Sequence, residues 1–151
     1  MAATTREQIA VAFFNLIEGA ADFAGTSRRF VHWDKVNGNG TLPFLTMLKT
    51  GERRDRQEEG LPTLVLQYKV LIYTSAGLDP NDVPDTAMNA LLDAIDQAVK
   101  PAGADALNGN RQTLGGLVSH CYPLGDVFVD NGDVDGKGVA AIPFEILAAW
   151  Y

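Results

Sequence analysis

Apolar side chains occupy every second position in the stretch after residue 61, and this alternation predicts one long strand. The positions that share one face of this strand are Leu64, Leu66, Tyr68, Val70 and Ile72. Turn-forming residues follow between Thr74 and Asn81, and a helical spacing then places Met88, Leu91, Leu92, Ile95 and Val99 on one side. We expect this helix, which Pro101 ends, to cover the apolar face of the strand.

The rest of the chain predicts one further helix and four further strands. Thr5 and Gln8 form a capping-box pattern at the start of the helix, which ends before Gly25. Alternating segments predict the strands: Ser27 to Trp33, Leu42 to Lys49, Leu117 to Tyr122 with a continuation at Val127 to Asp130 after a break at Pro123 and Gly125, and Gly138 to Trp150. The expected fold class is α+β, with two helices packed on one face of a mostly antiparallel sheet, in the order α-β-β-β-α-β-β.

Size and composition favour a single domain covering residues 1–151. The chain has 151 residues, of which 46% are hydrophobic, and two domains of half this length would each lack a sufficient core. No apolar run is long enough to span a bilayer and the N-terminus lacks a signal-peptide pattern, so we expect no membrane partner and synthesis in a cytosol. The single cysteine, Cys121, excludes a disulfide within one chain.

The net charge of -7 argues against direct binding of nucleic acid. Lysine and arginine drive binding to the phosphate backbone by displacing its counterions, and this chain has an excess of acidic residues. The acidity is either an ordinary contribution to solubility or a surface that repels DNA.

A calcium site is considered in the segment Asn131 to Gly138. Asn131, Asp133 and Asp135 precede Gly136 at the spacing of an EF-hand loop, but Ile142 stands where the bidentate glutamate is required. The segment therefore predicts a hairpin turn, and we expect neither a metal nor a cofactor.

His32, His120 and Cys121 are the only candidates for nucleophilic chemistry. Neighbouring residues on a strand point to opposite faces, so His120 cannot act as the base for Cys121 in regular geometry. We expect core or interface roles for these three residues and no catalytic residue.

Two segments combine charged and aromatic residues in the way that interfaces do. Ser27 to Trp33 presents Arg28, Arg29 and Trp33 on a strand with no purely apolar face, which suits an edge strand that is either solvated or covered by a partner. Thr50 to Gly60 is the most polar stretch, and we expect either a loop or two strand ends that project as an arm. The interface candidates are Arg28, Arg29, Trp33, Arg53, Arg54, Arg56, and the aromatic residues Tyr73 and Trp150, which we expect to be exposed at strand ends.

Three runs of the sequence resemble a family of phage proteins. They are Ser27-Arg28-Arg29 with His32-Trp33, the run from Thr86 to Ile95, and Arg111-Gln112-Thr113-Leu114-Gly115-Gly116-Leu117-Val118 with His120-Cys121. The chain resembles the tail terminator, or tail completion, proteins of long-tailed bacteriophages, similar in class to the minor tail protein U of lambda-like phages. The resemblance extends over nearly the whole chain in the same element order, and none of its motifs is catalytic.

The resemblance implies a structural role without enzymatic activity. Such proteins form a homo-hexameric ring on the head-proximal end of the tail, end the polymerisation of the tube and dock the neck. The implied partners are therefore the tail tube protein, the neck or connector protein and further copies of the chain, with DNA passing through the ring without specific binding. The implied location is the virion. The alternatives are a head–tail connector or neck ring, a tail-tube subunit, and a small cytosolic enzyme or ligand-binding domain that uses His32, His120 and Cys121.

Overall fold

Two helices and six strands make up the described part of the chain. The structure is a computed structural model that describes residues 4–36, 42–55, 63–75, 81, 83, 85–101, 111–132 and 136–149. The helices are α1 (Arg6–Glu18) and α2 (Asp85–Val99); the strands are β1 (Gly25–Ser27), β2 (Phe44–Asp55), β3 (Thr63–Ser75), β4 (His120–Pro123), β5 (Phe128–Asp130) and β6 (Lys137–Ala149). A short 3-10 helix covers Trp33–Lys35.

All six strands belong to one mostly antiparallel sheet. The strand order is β1-β2-β3-β6-β4, and β5 pairs with the same strand, β6, as β4 does. Only β1 runs parallel to its neighbour, β2; the other pairs are antiparallel. The fold is α+β, as the sequence predicts.

Both helices pack on one face of this sheet and form the core with it. The alternating side chains of β3, from Leu64 to Ile72, are at most 5% exposed, and those of β6 from Ala140 to Ala148 are at most 2% exposed. Phe13 of α1 lies against both strands, with its ring centroid 5.6 Å from that of Tyr68 and 5.1 Å from that of Phe144. Met88 and Ile95 of α2 are fully buried in the same cluster. The predicted cover of the strand by the second helix is therefore confirmed.

The first helix begins where the capping-box pattern places it. The side chain of Thr5 accepts a hydrogen bond from the Gln8 backbone N–H at 3.2 Å, and the Gln8 side chain accepts one from the Thr5 N–H at 2.9 Å. These two bonds satisfy donors that the first turn of a helix leaves without a partner.

The prediction of a strand over Ser27 to Trp33 is wrong beyond its first residue. β1 ends at Ser27. The backbone of the residues that follow forms hydrogen bonds with side-chain hydroxyl groups of the neighbouring strands, and not with the backbone of another strand. Thr46 Oγ1 donates to the Arg29 carbonyl at 3.0 Å and accepts from the Val31 N–H at 3.2 Å. Side-chain hydroxyls compete with the sheet in this way, and sequence alternation does not reveal them.

The polar segment that begins at Thr50 is a strand as far as Asp55, so the expectation of a loop there is wrong. The other expectation, of strand ends that project as an arm, agrees with the pairing of Gly51 to Asp55 with Thr63 to Gln67. An irregularity between Lys49 and Gly51 shifts the register, so that Glu52 points to the helix side of the sheet. The rest of the segment, including Arg56, lies outside the described residues.

The predicted interruption near Pro123 and Gly125 is confirmed. β4 and β5 are separate strands, and each pairs with a different part of β6: Pro123 with Phe144, and Phe128 with Ala141. The predicted start of the first of these strands at Leu117 is wrong, because residues 117–119 form a turn and bends and β4 starts at His120. Gly132, two residues after β5, has a φ of +83°, which only glycine adopts readily.

Candidate subunit interface

In the described part of the chain no α-helix covers the sheet face that points away from α1 and α2, although Val65, Thr46 and Tyr73 of this face are buried. We call this face the open face. Paired residues of neighbouring strands share a face, so Leu48 lies beside Lys69 and Pro143, and Phe128 lies beside Ala141. Leu48 is 40% exposed and Phe128 is 63% exposed. The open face therefore presents large apolar side chains at both edges, with a lysine between them.

The segment that follows β1 covers one end of the open face. The Tyr73 hydroxyl donates to the Val31 carbonyl at 2.6 Å, and the Tyr73 ring stacks between Trp33 and Phe44 at centroid distances of 5.6 and 6.2 Å. Tyr73 is consequently only 2% exposed, and its burial raises its pKa. The expectation of an exposed Tyr73 is wrong, because a loop from a different part of the sequence lies over it.

The other candidates of this segment differ in how free they are to meet a partner. Arg28 is exposed and pairs with Glu7 of α1, with 2.5 Å between Nη1 and Oε1. Arg29 is exposed, and in the described part of the chain its guanidinium forms no ion pair. Trp33 is half-buried, and its Nε1 is buried without a hydrogen-bond partner.

Arg53 is part of a polar network on the open face. Its guanidinium donates two hydrogen bonds to Asp55, at 2.9 and 3.2 Å, and lies 3.4 Å from Oε1 of Glu145. The other oxygen of Glu145, a residue only 9% exposed, accepts from the Tyr122 hydroxyl at 3.2 Å. Arg53 thus connects strands within the protomer. Arg54 is exposed on the same strand, and Trp150 lies outside the described residues.

On the helix side, a cluster of charges holds α1 to the arm. Glu52 accepts from Arg6 Nε at 2.6 Å and from Lys49 Nζ at 2.5 Å. The hydrogen bonds from Arg6 and Lys49 lower the pKa of Glu52 to about 2. The register shift in β2 is what turns this carboxylate towards α1.

The candidates for nucleophilic chemistry are not brought together. His32 lies at the β1 side of the sheet, where its Nδ1 is 3.3 Å from a carboxylate oxygen of Asp34, whereas His120 and Cys121 lie on β4 at the opposite edge. Nδ1 of His120 accepts from the Gln112 N–H at 3.2 Å, and partial burial lowers its pKa. Burial raises the pKa of the Cys121 thiol to about 12, so it is not a thiolate at neutral pH.

No other feature of the described residues indicates a catalytic or metal site. A cavity of about 450 Å³ lies between α2 and the ends of β2 and β3, but its lining is apolar and includes Leu42, Pro43 and Leu91. The described residues contain no group of three His, Cys, Asp or Glu side chains placed to hold a metal ion. None of their helices combines the length and the hydrophobicity that crossing a bilayer requires.

Sequence reasoning missed the largest group of exposed apolar side chains among the described residues. Leu124, Val127, Phe128 and Val129 are between 40% and 63% exposed, and all lie in or next to β5 at the β4 edge of the sheet. The three consecutive apolar residues Val127 to Val129 place apolar side chains on both faces of a strand, which was an available signal of an exposed apolar surface.

No family model matches the chain, and a search of curated proteins finds no relative.

Proposed function

We propose that this chain is a ring-forming structural subunit of a phage tail, and specifically a tail terminator. The proposal starts from the resemblance carried by the runs at Ser27 to Trp33, Thr86 to Ile95 and Arg111 to Cys121. The order of the structure follows the order that the resemblance implies, except that three strands and not two come after α2.

The observation that carries the proposal is the half-covered sheet. Both helices cover one face, while the open face and both sheet edges present side chains such as Leu48, Phe128 and Leu124 to solvent. Apolar side chains gathered on one surface are typical of protein interfaces, whereas single exposed ones are ordinary. A protein that works by assembling with copies of itself and with a tube requires such surfaces.

The distribution of polar groups also favours assembly over chemistry. His32 is separated from His120 and Cys121 by the width of the sheet, and the Cys121 thiol is buried. Arg29 and Trp33 remain exposed or half-exposed beside β1, where a neighbouring subunit can contact them. An overall charge of -7 further favours a passage through which DNA moves without adhering.

The experiment is negative-stain electron microscopy of phage particles produced without this protein. The expected result is abnormally long tails that are not joined to filled heads, and expression of the chain in trans should restore normal particles. The matched control is trans expression of a chain carrying Leu92→Asp and Ile95→Asp, which removes the fold and should not restore them.

Each other outcome contradicts the terminator proposal in a recognisable way. Tails of normal length with detached heads would assign the protein to the connector or neck, and an absence of tubes would assign it to the tube. Intact infectious particles would exclude all three assembly roles and would favour the alternative of an enzyme or ligand-binding domain.

A further inference from the structure

The two edges of the sheet carry opposite charge. Of the nineteen acidic residues, eleven lie after residue 75, whereas only three of the twelve basic residues do. We call residues 25–36 together with the outer side of β2 the basic edge. Residues 25–36 carry three basic residues, Arg28, Arg29 and Lys35, and one acidic residue, Asp34, while Lys49 of β2 is paired with Glu52. We call residues 124–132 the acidic edge; it carries Asp126 and Asp130 and no basic residue. Opposite charge on opposite edges favours contact between different patches of two copies.

Each edge also presents apolar side chains. Phe30 and Leu48 on the basic edge are 38% and 40% exposed, and Phe128 on the acidic edge is 63% exposed. Leu48 and Phe128 lie on the same face of the sheet but are separated by β3 and β6, so they cannot meet within one protomer. They can meet when a second copy continues the sheet.

Both edges have main chain available for pairing. β1 pairs only with Phe44 to Thr46, so in the described part of the chain β2 has no strand on its outer side from Met47 onwards. β5 pairs with β6 on one side, and all three of its residues are exposed. An exposed edge strand offers unpaired N–H and C=O groups to a further strand.

The strand directions fit such a pairing. β2 is antiparallel to β3, β3 to β6, and β6 to β5, so β5 runs opposite to β2. Within one copy the ladders place Phe128 level with Thr46, so the contact with Leu48 requires a shift of two residues along the strands, past the end of β1. When copies are related by rotation about an axis inclined to the strands by a small angle, each copy keeps its strand directions and such a shift results. β5 of one copy beside β2 of the next is then an antiparallel pair.

We propose that copies of this chain associate head to tail through the two sheet edges, with the acidic edge of one copy against the basic edge of the next. Phe128 contacts Leu48 of the neighbouring copy, and Asp130, which this antiparallel register places opposite Thr46, lies near Arg29, whose guanidinium forms no ion pair within the described part of its own protomer. A contact between two different patches generates a closed ring or an open filament. This inference rests on the proposed function in that it names the surfaces through which the ring forms.

Disulfide trapping in the full-length protein tests the contact. The double variant Leu48→Cys with Phe128→Cys should give disulfide-linked chains of two or more copies under oxidation, and reductant should remove them. Cys121 does not interfere, because it is 1% exposed and burial raises the pKa of its thiol. The matched control is Leu48→Cys with Val83→Cys, in which the second position is equally exposed, at 62%, but lies before α2.

The expected yield of linked species is roughly tenfold above that control, because docking raises the effective concentration of the two thiols. Equal yields from the two double variants, or no linked species from either, would overturn the proposal.

Charge reversal gives a second measurement at exposed positions if the cysteine variant does not fold. Arg29→Glu and Asp130→Arg should each lower self-association in sedimentation velocity at low salt, and the two changes in one chain should restore it. Loss without restoration would overturn the proposed pairing of the edges.

The two proposals fail separately. Specific trapping of Leu48→Cys with Phe128→Cys, together with normal tails in particles that lack the protein, would leave the interface and remove the terminator function. Overlong tails together with no preferential trapping would leave the function and remove this interface.

Discussion

The two faces of the central sheet differ in how strictly they require apolar residues. On the helix-covered face, Leu66, Val70 and Ile72 are fully buried, and each is withdrawn from water by α1 or α2. On the open face, the same strand places Lys69 in solvent and Leu71 at an intermediate position, and buries Val65 and Tyr73. Burial of apolar surface supplies most of the stability of a domain, so the covered face holds the fold together. The open face is free to carry charges and exposed apolar groups for partners.

Charged residues on the buried side of α2 should have the largest effect on stability and so give the strongest test of the difference between the two faces. Ile95 is fully buried and Leu92 is partly buried against the same core. Replacing both by Asp should cost more than about 5 kcal/mol and unfold the domain, because two buried aliphatic groups give way to charges. Circular dichroism and thermal melting measure this, with Gln97→Asp on the exposed side of α2 as the control. A cooperative melt of the double variant would contradict the assignment of the covered face.

The same truncation on the two faces compares them directly. Phe144 is 1% exposed and packs against Phe13, so Phe144→Ala should lower the free energy of unfolding by about 3 to 5 kcal/mol. Phe128→Ala removes an identical side chain that is 63% exposed, and it should change the free energy by no more than about 0.5 kcal/mol. Urea denaturation of both variants provides the test. Similar losses would mean that the open face also contributes to the core.

The loop over the open face should contribute a smaller amount. Tyr73→Phe removes the hydrogen bond to the Val31 carbonyl and should cost about 1 kcal/mol, because that carbonyl loses its partner in a partly buried place. Faster amide hydrogen exchange at Val31, whose N–H binds Thr46, should accompany the loss. Tyr68→Phe is the matched control. If both variants melted alike, the loop would not depend on this bond.

The charge cluster between α1 and the arm should have the smallest effect, and this effect should depend on pH. The pKa of Glu52 is lowered from 4.5 to about 2 in the folded protein, so its contribution is complete above pH 4.5 and disappears as the pH falls towards 2. Because the groups are near the surface, Glu52→Gln should cost less than about 1 kcal/mol at pH 7.

Melting temperatures measured from pH 7 to pH 2 test this dependence, since the difference between wild type and Glu52→Gln should shrink with acidity. Asp126→Asn, which removes an exposed carboxylate from the acidic edge, is the control and should melt close to wild type at pH 7. A difference that stays constant down to pH 2 would contradict the lowered pKa.

The covered face could be predicted because its rule is local and periodic. Every second residue of β3 and every third or fourth residue of α2 meets the core, so the spacing alone identified Leu64 to Ile72 and Met88 to Val99. The capping box at Thr5 was predictable for the same reason, since its two partners are three residues apart.

The candidate interface was less predictable because it depends on contacts between distant segments. Tyr73 was expected to be exposed, yet Trp33 and Val31 cover it from 40 or more positions earlier in the chain. Arg53 contacts Glu145, which lies 92 positions later in the chain, and nothing in the local sequence around either residue predicts this contact.

The sequence by itself determined the element types, the α+β class and the face of each long element that enters the core, because side-chain periodicity is a property of local backbone geometry. Only the tertiary structure decided which edge strands are short, where β2 shifts its register to turn Glu52 towards α1, and which aromatic residues remain in solvent. Those features arise from pairings between segments far apart in the chain. The burial of a residue in these places depends on the position of a segment far away in the chain, and no local sequence pattern contains that information.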